Sequence, residues 1–202
     1  MSKSAHLNFT SNTNATRADA VKNRALLLAT ARRLFEEDGV HAVSMSQIAQ
    51  AAGVGKGTLY RHFDNKTDLC YALLDTEQRE LQESTFERLR QHGDSCTDLR
   101  WFLDQVIQFV MRNDELLHGG LESRTGSPLA FPAHAWWRLT IRGLLQQLKI
   151  AGDVDYLSDV LYVMVNVETI HFQLHSRGYD YERIRDGVME TCARLLNPAD
   201  AS

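Results

Sequence analysis

The sequence predicts an all-α fold, with a small three-helix N-terminal domain followed by a larger helical domain. Only 3 prolines and 12 glycines interrupt the 202 residues, which favours helices over a sheet protein rich in turns. No segment alternates apolar and polar residues as a half-buried strand does, and the sequence contains no internal repeat. The hydrophobic content of 44% and charged content of 24% are typical of a globular chain with a proper core.

The first predicted helix follows a polar tail. Residues 1–16 are rich in Ser, Asn and Thr without an apolar period, so we expect them to be disordered. Thr16 and Asp19 have the spacing of an N-terminal capping pair, which starts the helix near Thr16. Apolar residues at helical spacing mark its buried face: Leu27, Ala31, Leu34 and Phe35. Gly39 then ends the helix.

Two short helices and one long helix come next. Ser44 and Gln47 form a capping box that opens a helix over Met45–Ala52. The sequence Gly53-Val54-Gly55 breaks that helix, and a third runs over Lys56–Phe63. Asn65 caps a long fourth helix from Lys66 to about Gln91. The predicted domains are therefore residues 17–65 and 66–202, after a tail over residues 1–16.

The second domain is predicted to contain at least five further helices. Glycines and Pro132, which suits the first turn of a helix, separate them. Their expected ranges are Thr97–Asn113, Asp114–His118, Pro132–Ala151, Asp155–His175 and Asp180–Leu196. The least regular stretch is Gly119–Leu129.

Charge divides unevenly between the two parts of the chain. Residues 1–66 carry 9 Lys and Arg against 5 Asp and Glu, a net charge of +4. The remaining residues carry 13 basic against 21 acidic side chains, a net charge of −8. A basic N-terminal part on an acidic body suggests a polyanionic partner for the N-terminal part alone.

The cysteines and the N-terminus indicate a cytoplasmic protein. Cys70, Cys96 and Cys192 are widely spaced and form no CxxC pair, so we expect free thiols in a reducing compartment. The first residues lack the apolar core of a signal peptide, and no run approaches the ~18 apolar residues of a membrane span. We expect no membrane partner.

The segment from Ile48 to Phe63 has the requirements of a helix-turn-helix. Small residues stand where two helices would cross, at Ala49 and Ala52. The turn has a glycine followed by an apolar residue, Gly53 and Val54. The buried face of the second of these helices is formed by two apolar residues four apart, Leu59 and Phe63.

The opposite face of that helix is predicted to meet DNA. Lys56 suits guanine O6 or N7 near the start of the helix, and Gly57 lets the backbone approach the duplex. The remaining polar side chains suit contacts with phosphate oxygens, and Tyr60 can also contact a thymine methyl group. The predicted DNA-binding residues are Ser44, Lys56, Gly57, Thr58, Tyr60, His62 and Lys66.

This segment resembles the recognition segment of the tetracycline-repressor (TetR) family. The shared pattern is Gly53-Val54-x-Lys56-Gly57-Thr58-Leu59-Tyr60-x-His62-Phe63-x-x-Lys66, and the likeness covers about Asn23 to Leu69. The resemblance implies an all-helical homodimer with a three-helix DNA-binding head and a larger ligand-binding and dimerisation body. It also implies DNA contacts by Tyr60, His62 and Lys66. Gly55 and Arg61 stand at positions that vary in the family.

The body is expected to hold an effector pocket and a dimer interface. Candidate ligand-binding residues are the large aromatic side chains Trp101, Phe102, Phe109, Trp136 and Trp137, although such residues equally form a core. The last two helices are apolar enough to form a four-helix dimer interface. The residues behind this expectation are Leu157, Val160, Leu161, Met164, Val167, Ile184, Val188, Cys192 and Leu195.

A metal site is an alternative function for the same region. Glu168, His171 and His175 stand at i, i+3 and i+7 on one helical face, and histidines four apart can share a metal ion. A polar patch at a surface or interface is the competing interpretation.

Together with these features, the resemblance to the TetR family implies a homodimeric repressor that a small-molecule effector releases from a palindromic operator in double-stranded DNA. No catalytic residue and no cofactor are predicted. An activator, or a regulator that responds to a metal ion, stays open. A cytoplasmic helical enzyme is the rival from another class, and the lack of HExxH, GxSxG, P-loop or clustered-carboxylate signatures argues against it.

Overall fold

The computed structural model describes residues 10–91, 93–119, 132–150 and 152–196, and the described elements are all helical. The predicted all-α class is confirmed. The helices of the first part are α1 (Thr10–Asp38), α2 (Met45–Ala51), α3 (Lys56–His62) and α4 (Lys66–Arg90). They are followed by α5 (Ser95–Arg112), α6 (Asp114–Gly119), α7 (Pro132–Gln147), α8 (Val154–Val165), α9 (Val167–His171), a π-helical segment (Phe172–Ser176) and α10 (Tyr181–Leu196).

The chain divides into two compact units, Met1–Leu73 and Leu74–Ser202. This division lies two turns after the start of α4. The sequence predicted an earlier boundary, at residue 66, where α4 begins. The first turns of α4 bury Leu69 and Cys70 completely. The buried start of α4 therefore belongs to the core of the N-terminal unit. The predicted domain boundary lies earlier because it coincides with the N-terminal cap of α4.

The first unit has a core that α1, α2, α3 and the start of α4 share. Its buried apolar residues are Leu27, Ala31, Phe35, Val40, Val43, Ile48, Ala49, Leu59, Phe63 and Leu69. The capping box predicted at Ser44 is present at the start of α2, and Asn65 Oδ1 accepts a hydrogen bond from Asp68 N at 2.9 Å. Helix α1 begins at Thr10, where disorder had been expected through residue 16, and residues 1–9 lie outside the described residues.

The turn between α2 and α3 depends on Gly53. Its φ of +66° lies in the left-handed region, where a Cβ atom costs roughly 1–2 kcal/mol. In this conformation Val54 N donates a hydrogen bond to Ala49 O at 3.0 Å, which closes the turn.

Replacing Gly53 with alanine is expected to lower the free energy of unfolding by about 1–2 kcal/mol. The strain comes from φ alone, because a Cβ atom at this position would meet no neighbouring atom within 4 Å. Gly57→Ala is the matched control, since Gly57 lies in α3 with equally open space. Urea unfolding followed by circular dichroism measures both. Equal stability of the two variants would contradict this account of the turn.

The second unit is centred on α5. One face of α5 is buried, and α5 packs against α7, α9 and α10 while α7 packs on α8. The largest fully buried side chains of this unit are Trp137, Phe102, Leu99, Leu103, Ile107, Ile141, Leu144 and Leu145. Arg88 Nε donates to the buried carboxylate of Asp98 at 2.7 Å. The pair ties the end of α4 to the start of α5.

The long helix predicted over Asp155–His175 is broken in the structure. Helix α8 ends at Val165, and Asn166 leaves the helix with φ −72° and ψ 161°. The Asn166 side chain then caps α9, because its Oδ1 accepts a hydrogen bond from Thr169 N at 2.7 Å. Asparagine competes with the helix in this way through its own short side chain. A π-helical turn follows, in which Arg177 N donates to Phe172 O at 3.1 Å.

Other expected features have simple outcomes. Helix α7 ends at Gln147, earlier than predicted, and Lys149 has a left-handed φ of 51°. The irregular stretch predicted over Gly119–Leu129 lies almost wholly outside the described residues.

All three cysteines are free, and burial raises the pKa of both the Cys70 and the Cys192 thiol to about 11. In the described part of the chain, no helix combines the length and apolarity that crossing a bilayer requires.

Candidate nucleic-acid interface and effector-binding region

The inner face of α3 is held by the core of the first unit. Leu59 is 0% exposed and Phe63 is buried beside it. Ala49 of α2 is buried as well, which agrees with the small residue that a close helix crossing requires. Arg24 of α1 lies over the Phe63 ring, with its guanidinium carbon 5.4 Å from the ring centroid. These contacts fix which face of α3 points outward.

The outer face of α3 carries the residues predicted to contact DNA. Tyr60, the residue after Leu59, is 48% exposed, and Lys56 and Gly57 are exposed as well. A Cβ atom at Gly57 would meet nothing within 4 Å, so the surface here is open. The N-cap residue is Gly55, and it provides no side-chain cap. The start of α3 is therefore accessible to a partner from outside.

Thr58 and His62 are half-buried beside this surface. Arg61 Nη2 donates to Thr58 Oγ1 at 3.0 Å, and Arg61 Nε donates to Gly57 O at 3.3 Å. The guanidinium therefore lies back along α3, and the Thr58 hydroxyl proton stays available for an external acceptor. The His62 ring packs against Phe63 with centroids 6.3 Å apart. The role of Arg61 in holding Thr58 was not predicted, although the spacing of three residues on a helix was a signal for it.

Lys66 and Ser44, which are also predicted to contact DNA, each make contacts within the protein. The Lys66 ammonium lies 5.7 Å from the Phe35 ring centroid and donates to His41 O at 3.5 Å. Partial burial lowers the pKa of Lys66, and the Coulombic effect of Cys70 opposes this shift. The Ser44 hydroxyl is held in the capping box, where it donates to Gln47 Oε1 at 2.7 Å.

Comparison with known proteins identifies the family. Residues 27–73 match the family model of bacterial regulatory proteins of the tetR family. An HTH-type transcriptional regulator of Staphylococcus aureus (strain bovine RF122 / ET3-1) is 30% identical over 178 residues, which cover 86% of this chain and 94% of the relative. The chain belongs to the TetR family. As a member of this family it is a DNA-binding transcriptional regulator, and its relatives are regulators rather than enzymes.

Solved structures share the fold over most of the chain. A TetR-family transcriptional regulator from Pectobacterium atrosepticum superposes with a TM-score of 0.70 at 21% identity, over 90% of this chain and 96% of that one. A gamma-butyrolactone receptor gives a TM-score of 0.54 at 25% identity, over 88% and 97% of the two chains. The predicted arrangement of an N-terminal helix-turn-helix domain and a larger helical domain is confirmed.

The five aromatic residues predicted to bind a ligand have two different environments. Phe102, Phe109 and Trp137 are buried in the core of the second unit. Trp101 and Trp136 are half-buried: the Arg88 guanidinium lies 4.9 Å from the Trp101 ring, and Trp136 meets Phe102 edge-on at 5.4 Å. A groove of about 680 Å³ lies elsewhere, along α8, α9 and α10, and none of the five residues lines it.

A polar and aromatic cluster in the body was not predicted. Trp137 Nε1 donates to Gln78 Oε1 at 3.2 Å, and the Trp137 ring packs against His134 and Phe109. His134 Nδ1 lies 2.5 Å from the Tyr162 hydroxyl oxygen. Desolvation lowers the pKa of His134, an effect that Glu168 opposes, and burial raises the pKa of Tyr162 to about 12. No sequence signal marked this cluster, because its members come from four different helices.

The predicted metal-ligand set is changed by the structure. His171 and His175 do come together, but the third residue of the cluster is Asp114 of α6. Within the described ranges, Glu168 belongs to no such cluster, and it is exposed in the first turn of α9. The carboxylate beside the two histidines is therefore that of Asp114, which comes from another helix, 57 residues from His171 in sequence, and not that of the same-helix neighbour Glu168.

Proposed function

We propose that this TetR-family regulator is a homodimeric repressor. In this proposal α3 of each protomer enters the major groove of one half of a palindromic operator. A domain over residues 17–65 binds DNA, and residues 66–202 bind an effector and form the dimer. The observation that carries the proposal is the opposite exposure of two consecutive residues on α3, Leu59 at 0% and Tyr60 at 48%. A helix fixed by its inner face presents its outer face in one defined orientation.

The proposed DNA contacts follow from that orientation. Lys56 and Gly57 approach base edges at the exposed start of α3, with Lys56 donating to guanine. Tyr60, Thr58 and His62 meet phosphate oxygens farther along. Ser44 and Lys66 complete the contacts from the starts of α2 and α4. The half-buried ammonium of Lys66 is held by Phe35 and His41 O, which reduces the side-chain freedom lost on binding.

The proposed dimer forms through α8, α9 and α10. Val163 and Phe172 are more than half exposed, as is Tyr156, and Val163 also lines the groove of about 680 Å³. Exposed apolar residues on the last helices suit a self-complementary interface of four helices. Leu161, Val167, Ile184, Val188 and Cys192 are already buried within the protomer, whereas Leu157, Val160, Met164 and Leu195 retain exposed surface for the partner.

The proposed effector is a small, largely apolar molecule. The solved gamma-butyrolactone receptor supports this class, because that protein is similar to the chain over most of its length. Trp136 and Trp101 keep accessible surface in the body and are the better candidate contacts, whereas Phe102, Phe109 and Trp137 are buried in the core. An effector that binds better to the form with low DNA affinity releases the operator.

Selection of genomic DNA fragments by the purified chain tests the proposal. The expected product is a set of palindromic sites with half-site centres one helical turn apart, about 34–36 Å or a multiple of it. Affinity for a selected duplex should fall steeply between about 50 and 200 mM salt. Recovery of random sequence only, or binding that does not depend on salt, would contradict the proposal.

Two lysine variants are expected to change binding in different ways. Lys66→Met removes the ammonium group proposed to contact phosphate but keeps an unbranched side chain of similar length, so affinity should fall for every sequence. The slope of log affinity against log salt should decrease by about 1. Lys56→Ala should instead reduce discrimination at one base pair, by about 1–3 kcal/mol. Fluorescence anisotropy with the selected duplex and single-base variants of it measures both effects. If Lys56→Ala weakened binding to every sequence and Lys66→Met reduced base discrimination, the proposed placement of α3 in the groove would be wrong.

A further inference from the structure

A cluster of three metal-ligating side chains lies in the second unit. Asp114 is the first residue of α6, His171 is the last residue of α9, and His175 lies in the π-helical segment. His171 Nδ1 is 2.8 Å from Asp114 Oδ1, and His175 Nε2 is 2.6 Å from Asp114 Oδ2. One carboxylate therefore faces two imidazole rings.

The cluster is closed on one side and open on the other. The Asp114 side chain is 12% exposed, whereas those of His171 and His175 are 36% and 57% exposed. The two rings are 4.4 Å apart between centroids. An ion from solvent thus has access to both imidazoles, and the carboxylate at the bottom supplies negative charge in a partly desolvated place.

We infer that Asp114, His171 and His175 bind one divalent first-row transition-metal ion. Two imidazole nitrogens and one carboxylate oxygen suit Zn²⁺, Ni²⁺ or Fe²⁺ rather than Mg²⁺ or Ca²⁺, which take oxygen ligands. The candidate ligand atoms lie within 4.8 Å of one another. Bonds of about 2.0–2.2 Å place two ligand atoms of one ion roughly 3–3.5 Å apart. The two contacts with the carboxylate, at 2.8 and 2.6 Å, must therefore lengthen by roughly 0.2–0.9 Å, and any pair of ligand atoms near the 4.8 Å limit must approach by roughly 1.3–1.8 Å.

The backbone around His175 supports this site. In a regular helix His171 and His175 would be neighbours one turn apart, and here the turn between them widens into a π-helix. Such π-helical turns are rare and occur frequently at functional sites. Three protein ligands also leave at least one coordination position for water or another group, as in open zinc sites.

The ion would replace the hydrogen bonds of the metal-free cluster. A metal ion binds the lone pair of an unprotonated ring nitrogen. His171 Nδ1 and His175 Nε2 must therefore be unprotonated in the metal-bound form, and the proton of each neutral ring lies on its other nitrogen. The metal would join α6 to α9 and the π-helical segment, two parts of the body that are more than 50 residues apart in sequence. Binding therefore stabilises the folded second unit.

Titration of the untagged, chelator-treated full chain with Zn²⁺ tests the inference, with isothermal calorimetry as the readout. One Zn²⁺ per chain is expected, together with a rise in melting temperature that excess chelator reverses. His175→Ala is the main variant, because this exposed residue is removable without loss of core packing. It should weaken Zn²⁺ binding at least about tenfold. Co²⁺ should give a visible absorption spectrum with the parent chain that the variant loses.

Two controls distinguish this site from other histidines and from the set predicted by sequence. Glu168→Gln should bind Zn²⁺ like the parent, and so should His41→Gln, which changes an exposed histidine of the first unit. Lack of stoichiometric uptake by the parent chain would overturn the inference, as would undiminished binding by His175→Ala. DNA binding is measured separately, so failure of the metal site leaves the proposed repressor function untouched.

Discussion

Alanine at position 59 should reduce the free energy of unfolding of the DNA-binding unit by about 2–5 kcal/mol. Leu59 is fully buried between α3 and the rest of the first unit, and the shortened side chain leaves a cavity there. Domains of this kind are stable by only about 5–15 kcal/mol, so the substitution would remove a substantial part of that stability. Urea unfolding monitored by circular dichroism measures the loss.

The adjacent residue provides the matched control for Leu59. Tyr60 is 48% exposed, so Tyr60→Ala should change the free energy of unfolding by no more than about 0.5 kcal/mol. Operator affinity should nevertheless fall at least about tenfold, which corresponds to about 1.4 kcal/mol. Leu59→Ala thus loses stability, whereas Tyr60→Ala loses operator binding while it stays folded. A Tyr60→Ala protein that unfolds, or that binds like the parent, would contradict the assigned faces of α3.

The second large effect is expected at Trp137 in the body. Trp137 is 1% exposed, packs edge-on against Phe109 and donates its indole N–H to Gln78 Oε1 at 3.2 Å. Trp137→Ala should lower the free energy of unfolding by about 3–5 kcal/mol through the cavity it leaves. The amide oxygen of the buried Gln78 would also lose its partner, which adds a desolvation cost.

Trp136 is the matched control for Trp137. It is half-buried on the same helix and meets Phe102 and Phe86 at its edge. Trp136→Ala should therefore cost less than half as much stability as Trp137→Ala. Differential scanning calorimetry of the two variants decides the comparison. Equal losses of melting enthalpy and temperature would show that the two adjacent rings have the same role, contrary to the structure.

The N-terminal unit was predictable because its signals are local. The capping box at Ser44, the glycine at position 53 and the cap at Asn65 each act within a few residues. The spacing of Leu59 and Phe63 likewise fixes the inner face of α3 on one helix. The limits of α2 and α3 and the burial of their inner faces therefore followed from short-range patterns, whereas the start of α1 at Thr10 did not.

The body was less predictable because its contacts join distant segments. The break at Asn166 depends on a competition between a side-chain cap and helix continuation, which sequence periodicity does not resolve. The carboxylate of Asp114 comes to His171 and His175 from another helix. The cluster of Gln78, His134 and Tyr162 around Trp137 is equally non-local. Family membership adds little here, since the matched family model covers only residues 27–73.

Photo-crosslinking at position 60 tests the central claim most directly. A photoreactive phenylalanine derivative replaces Tyr60 in the full chain, and the protein is irradiated with the selected operator duplex. The control carries the same group at Leu139 of α7, which is more than half exposed in the second unit. A covalent adduct with the operator from position 60, and none from position 139, is the predicted result. Crosslinking from position 139 alone, or equal yields with operator and unrelated DNA at position 60, would show that α3 does not read the groove.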